Sequence, residues 1–193
     1  MTQYKTISSD ANGQFNDKGS RFLAFARHIL SENEALTFIE EVRKEHHKAR
    51  HVCYAYRIGT IQPVERVNDD GEPAHTAGQP ILNQIRKYGL NYIVIAVVRY
   101  FGGVLLGKGG LIQAYGSAAA DAILSAQIVT KTELQTAEIS FHMSRYNEVI
   151  QLVKKNKLTI LSEVYDQENC KIKYEAEAEF MDEYAVQFKT LIK

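Results

Sequence analysis

The sequence predicts an α+β protein of two domains, the first spanning residues 1–130 and the second, a small ferredoxin-like domain, residues 131–193. Three observations carry that expectation. The run YIVIAVV, Tyr92 to Val98, has the unbroken β-branched character of a central strand covered on both faces. Segments of helical and of strand period stand on either side of it. Near Thr130 the pattern restarts as strand, helix, strand, strand, helix, a split βαβ order that stops before its final strand.

Taken along the chain, Ser31 followed by Glu34 is a capping box, and Ala35, Phe38, Ile39, Val42 and His46 recur at helical spacing, which predicts a helix over 31–46. The charged segment RKEHHKAR ends it. His51 to Ile58 alternates Val52, Tyr54, Tyr56 and Ile58 against His51, Cys53, Ala55 and Arg57, the period of a strand. Glu65 to His75 is polar and carries turn chemistry in Asp69, Asp70, Gly71, Glu72 and Pro73. Thr76 and Gln79 form a second capping box, opening a helix to about Tyr88 with Pro80 in its first turn and Ile81, Ile85 and Tyr88 along one stripe.

After the central strand, the turn RYFGGVLLGKGGL from Arg99 to Leu111 leads into a helix to about Ser125, largely buried because Leu111, Ile112, Tyr115, Ala118, Ala119, Ala122 and Ile123 leave few polar positions. In the second domain Ala137, Ile139, Phe141 and Met143 alternate as a strand. A helix carries Tyr146, Val149, Ile150 and Val153. A strand then places Ile172, Tyr174, Ala176, Ala178 and Phe180 inward against Lys171, Lys173, Glu175, Glu177 and Glu179, and a last helix runs from Asp182 to about Ile192.

Composition narrows the function classes. Net charge is zero, with 14 Lys and Arg against 12 Asp and Glu through Thr130, so no domain has the strongly basic balance of a general phosphate binder. The two cysteines, Cys53 and Cys170, stand far apart in strand-like contexts, which suits reduced, buried thiols. No apolar run reaches the ~20 residues of a membrane span and the N-terminus lacks a signal-peptide core, so a cytoplasmic location without membrane partners is expected.

The Arg99–Leu111 turn is the expected functional centre, and it reads as binding rather than reacting. Glycines permit close backbone approach, a helix N-terminus offers amide donors, and Arg99 and Lys108 are cations, the ingredients of an anion site. The bland alternative is that Gly102, Gly103, Gly107, Gly109 and Gly110 only permit a tight turn and close packing. From Gly102 the spacing G-x-x-x-x-G-K-G falls one residue short of a P-loop, because Gly109 has no hydroxyl for magnesium.

Asp69, Asp70 and Glu72 could hold a cation or act as acid and base, or simply serve a turn. His51 and Cys53 share a strand face and could approximate a thiol–imidazole pair, although a cysteine between tyrosines is usually a small buried hydrophobe. Arg43, Lys44, Lys48 and Arg50 could touch phosphates, although Glu40, Glu41 and Glu45 dilute their field, and they read more readily as a solvated helix end. No metal site and no cofactor is expected.

Read together, GSRF at Gly19–Phe22, ARHVCYAY at Ala49–Tyr56, NDDGEPAHTAGQP at Asn68–Pro80 and VRYFGGVLLGKGGLIQAYG at Val98–Gly116 resemble the IMPACT family in its short, bacterial, YigZ-like form. The resemblance covers about residues 15–125. It implies an N-terminal domain with the fold of the second domain of a ribosomal small-subunit protein and a C-terminal domain similar to domain five of elongation factor G. It also implies a place in translation, since eukaryotic relatives regulate translation by binding an activator of an initiation-factor kinase.

Carried over position by position, the ligand-binding set is Arg21, His51, Asp69, Asp70, Glu72, Arg99, Gly102, Gly103, Gly107, Gly109 and Gly110, to which the turn's own chemistry adds Lys108. The expected protein is a translation-associated regulator that contacts RNA, ribosome or a protein partner. The rival is a small hydrolase or transferase acting on an anionic ligand, with Asp69, Asp70 or Glu72 working beside His51 or Cys53.

Overall fold

The structure, a computed structural model, describes residues 3–192; Met1, Thr2 and Lys193, the outermost positions of the two expected domains, lie outside the described residues. Two compact units are present, residues 4–131, and Gln3 together with the chain from Thr132 onward. Both combine helices with antiparallel sheets.

The first unit is built on a five-stranded antiparallel sheet. Its members are β2 (Ala11–Asp17), β3 (Ser20–His28), β4 (His51–Ile58), β5 (Val64–Asn68) and β6 (Ile93–Tyr100), in the order β2-β3-β6-β4-β5. The apolar run thus lies at the centre, as its continuous β-branched character predicts. Helix α1 (Glu32–Glu45) packs Ala35, Phe38, Ile39 and Val42 onto Val52, Tyr56, Val94, Ala96 and Val98 of one face. Helices α2 (Gly78–Lys87) and α3 (Gly107–Ser125) cover the other, where Ile81, Ile85, Leu111 and Tyr115 meet Phe22, Cys53, Ile93, Ile95 and Val97. Alternate residues of β4 and β6 therefore feed two separate cores.

Two local expectations are corrected. The polar stretch after Glu65 is not all turn, because Val64 to Asn68 pairs with β4 as an edge strand, where polar residues tolerate the solvated side. The second capping box does not form. Thr76 Oγ1 donates to the Pro73 carbonyl at 2.6 Å, Gln79 bonds Asn83, and the amides of Ala77 and Gly78 donate instead to Asp69 Oδ1 at 2.9 and 2.8 Å. The first capping box does form, Ser31 Oγ accepting from the Glu34 amide at 3.2 Å while Glu34 reaches back to the Leu30 amide.

The opening thirty residues add β1 (Gln3–Ile7), β2 and β3; β1 forms a separate two-stranded sheet with β7 (Ile128–Thr132). Gly13 in β2 lies so close to α3 that a Cβ there would stand 2.1 Å from the Ala122 nitrogen. Only glycine fits.

In the second unit β8 (Leu134–His142), α4 (Tyr146–Lys155), β9 (Thr159–Tyr165), β10 (Asn169–Glu177) and α5 (Met181–Leu191) follow the expected order, with sheet order β8-β10-β9. Phe141, Ile172 and Tyr174 pack with Val149, Val153 and Phe188. The outer face is solvated and carries the Lys171–Glu138 ion pair. The inward alternation of β10 stops at Glu177, and Ala178–Phe180 form a 3-10 turn.

Candidate functional site

Pairing of β4 with β6 sets His51 opposite Arg99, and pairing of β3 with β6 sets Phe22 opposite Arg99 and the exposed Arg21 opposite Tyr100. Three segments distant in sequence thus meet at one end of the sheet. The acidic loop after β5 and the glycine-rich turn after β6 border the same end.

Every carboxylate of the loop is occupied from within. Asp69 accepts from the amides of Ala77, Gly78 and His75, the last at 2.7 Å, and so caps α2 from outside the helix. Burial opposes its ionisation, but the Gly78, His75 and Ala77 amides together outweigh that and hold the carboxyl below its ordinary range. Asp70 takes both Nη atoms of Arg43 at 3.1 and 3.2 Å and the Val52 amide at 2.7 Å, tying α1 to β4. Glu72, only 8% exposed, accepts from Arg99 Nη1 at 2.8 and 3.1 Å and from the Tyr115 hydroxyl at 2.8 Å.

The loop backbone works on His51. The Asp70 carbonyl lies 2.6 Å from His51 Nδ1, and Gly71, at φ +87°, is so placed that a Cβ would touch the ring at 3.3 Å. Asp70 itself holds φ +41° and His75 φ +64°, left-handed conformations uncommon outside glycine. Asp69 therefore anchors α2, Asp70 both α1 and the His51 ring, and Glu72 Arg99.

The thiol–imidazole pair does not form. Cys53 is fully buried, its Sγ donates to the Asp69 carbonyl at 3.1 Å, and burial pushes the thiol far above its ordinary range. The His51 Nδ1 is turned to Asp70. Cys53 behaves as a small core residue.

Within the turn, most glycines answer to backbone geometry. A Cβ at Gly102 would stand 1.9 Å from the Gly19 carbonyl carbon, and the Gly102 amide donates to Ser20 Oγ at 3.1 Å. Gly103 and Gly107 adopt φ +89° and +70°. At Gly110 a Cβ would meet Leu106 at 2.9 Å, whereas Gly109 faces open space with no positive φ. Among the described residues no side chain caps α3, and no acidic residue lies in its first turn, which leaves its leading amides open beside the exposed Lys108.

Beside His51, Arg99 and the start of the glycine-rich turn lies an open cavity of about 570 Å³. Lys48, Arg50, His51 and Arg99 line its polar side, and Tyr100, Phe101 and Leu105 its apolar side; none of these lining residues is acidic. Arg99 also stacks near Phe22 and Phe101, its guanidinium 5.6 and 5.5 Å from the ring centroids. The site thus brings together His51, Arg99 and the edge of the turn from the expected set, and adds Lys48, Arg50, Tyr100, Phe101 and Leu105. Lys48 and Arg50 belong to the basic segment whose phosphate contact the sequence left as the lesser reading; both precede His51, and the β4–β6 pairing of His51 with Arg99 is what brings them beside the site.

Among the described residues no group of three or more His, Cys, Asp or Glu is placed to hold a metal ion, and no helix is long and apolar enough to cross a membrane.

Comparison with known proteins places this site in context. The model of the Impact N-terminal domain matches residues 18–123, which contain the acidic loop, the glycine-rich turn and the cavity lining. The chain is 31% identical over 169 residues to the IMPACT family member YvyE of Bacillus subtilis, covering 88% of this chain and 77% of that one. It is 41% identical over 129 residues to the IMPACT family member YigZ of Escherichia coli, covering 65% of this chain and 63% of that one. A crystal structure of a hypothetical protein superposes with a TM-score of 0.75 at 29% identity, over 97% of this chain and 92% of that one.

Proposed function

The chain belongs to the IMPACT family, and from that premise we propose that it is a translation-associated binding protein whose first unit takes RNA at the cavity between β4, β6 and the glycine-rich turn. The observation that carries this reading is the lining: Lys48, Arg50, His51 and Arg99 converge with no acidic residue among them, although three carboxylates stand in the adjoining loop. Those carboxylates are hydrogen-bonded inward, Glu72 to Arg99, Asp70 to Arg43 and the Val52 amide, and Asp69 to the amides at the start of α2, so none stands free as acid or base. This favours binding over hydrolysis or group transfer.

Charge sets the expected strength. Arg99 is balanced by Glu72, which leaves Lys48 and Arg50 as the excess cations. Few phosphates are then neutralised, and affinity should come from a specific fit as much as from counterion release. Lys108 and the open amides of α3 extend the same anion-attracting border.

Titration of a fluorescent single-stranded RNA into the full chain, with ribosome co-sedimentation beside it, tests the reading. RNA binding that weakens with salt, by about 0.7 log units of affinity per log unit of salt for each phosphate engaged, is expected. The Arg50→Ala protein should bind several-fold more weakly. Absence of both RNA binding and co-sedimentation at physiological salt would overturn it.

A further inference from the structure

Taking RNA as the ligand, we infer that the cavity receives one unpaired ribonucleotide and that His51 reads its 2′-hydroxyl. The inference rests on the RNA reading above and adds which part of RNA is recognised.

The tautomer of His51 is fixed by its surroundings. A carbonyl oxygen only accepts, so the 2.6 Å contact to the Asp70 carbonyl requires that Nδ1 carry the proton and donate. In the neutral ring Nε2 is then an acceptor, and among the described residues it has no protein partner. The other polar side chains of the lining differ in kind. Lys48, Arg50 and Arg99 only donate, and the Tyr100 hydroxyl is engaged by His46 Nδ1 at 2.9 Å. With the His51 ring neutral, the cavity asks its ligand for acceptors at the cations and for one donor at His51.

A phosphate supplies the acceptors and no donor; a ribose 2′-hydroxyl next to that phosphate supplies the donor. The third requirement is a flat apolar group, because Phe101 is 54% exposed at the rim with the Arg99 guanidinium near its ring. An unpaired base stacks on such a face, whereas the stacked, paired bases of an A-form duplex cannot reach it. The volume, about 570 Å³, lies within the ~300–1,000 Å³ of small-ligand sites and suits one nucleotide rather than a helix groove. The acidic loop holds the reading group still: Asp70 fixes the ring through its carbonyl, and at Gly71 a Cβ would press on the ring at 3.3 Å.

The test measures a ratio. Anisotropy titrations of the full chain use a labelled single-stranded RNA long enough to form a stable duplex, the same sequence with deoxyribose, and the ribo strand annealed to its complement. The single-stranded RNA should bind about 2- to 10-fold tighter than its deoxy counterpart, the worth of one hydrogen bond, and tighter than the duplex. His51→Ala should collapse the RNA-to-DNA ratio to near one, while Phe101→Ala should weaken both single strands and leave the ratio in place. Equal affinity of the unaltered protein for RNA and DNA single strands, or equal affinity for the duplex, overturns the inference and leaves RNA binding itself standing; that result needs no variant to fold. A ratio that survives His51→Ala in a folded variant overturns the role given to His51. No binding of any oligonucleotide removes this inference together with the reading beneath it.

Discussion

The acidic loop, which backs His51 and Arg99, and the glycine-rich turn, which gives Phe101 and Leu105 to the cavity, treat their polar groups in opposite ways. In the loop, three carboxylates and the Asp70 carbonyl all find partners inside the protein: amides of α2, Arg43, Val52, Arg99, Tyr115 and His51. In the turn, the leading amides of α3 have no side-chain cap, Lys108 is exposed, and Phe101 and Leu105 stand in solvent, Leu105 at 83%. The conspicuous charges are thus a frame. The open groups are what a partner can meet, and the frame is what keeps His51 and Arg99 aimed among them.

That contrast breaks first at Glu72. Replacing it by alanine strands the Arg99 guanidinium in the core and removes the acceptor of the Tyr115 hydroxyl, so a loss of about 3–5 kcal/mol is expected in urea unfolding. A loss under about 1 kcal/mol would mean that the pair is not holding the frame.

Asp69 comes next. Asp69→Ala leaves three amides at the start of α2 without their acceptor and should lose about 2 kcal/mol. The pH dependence has a definite sign. Because the folded carboxyl is held below its ordinary value, the unfolded chain takes up the proton first; the stabilisation is full above about pH 4 and fades as acid carries the pH through the depressed native value. Urea midpoints at pH 7 and pH 3 should therefore fall less steeply in Asp69→Asn than in the unaltered protein.

The glycines sharpen the comparison within the turn. Gly103→Ala forces a side chain into a left-handed conformation and should lose about 1 kcal/mol. Gly109→Ala meets open space in the first turn of α3 and should gain about 0.5 kcal/mol in thermal unfolding. If it also weakens RNA binding, the open space at Gly109 belongs to the ligand. At the small end, Lys48→Ala should change stability by less than about 0.5 kcal/mol, yet lower the salt dependence of RNA binding by about 0.7.

How much of this was legible in sequence varies with how sharply burial alternates. The central strand β6, with two packed faces, and β10, with one, leave opposite but equally clear patterns, and both were readable. The opening strands were not. In β3 the buried Phe22, Ala24 and Ala26 alternate with Leu23 and Phe25, which are themselves apolar and half-buried, so the period is blurred. Strand β2 buries only Ala11 and meets α3 through the backbone of Gly13, a contact that leaves no hydrophobic trace.

The site divides along the same line. His51 and Arg99 stood out by their place in motifs, but whether Asp69, Asp70 and Glu72 face outward or inward is decided by partners as distant in sequence as Arg43 and Tyr115. The α2 cap shows the same limit. Sequence spacing pointed to Thr76 and Gln79, and the acceptor came instead from a residue eight positions before Ala77. Lys48 and Arg50 gained their place only through the strand register.

Cys53 gives the frame a clock. Its thiol lies beneath the acidic loop with the Asp69 carbonyl as its partner, and a thiol reagent can label it only while the loop is lifted. Cys170, equally buried, sits in the core of the second unit. The two labelling rates would time two separate openings in one unaltered chain, and a ligand that settles in the cavity and steadies the loop should slow the first clock while the second keeps its pace.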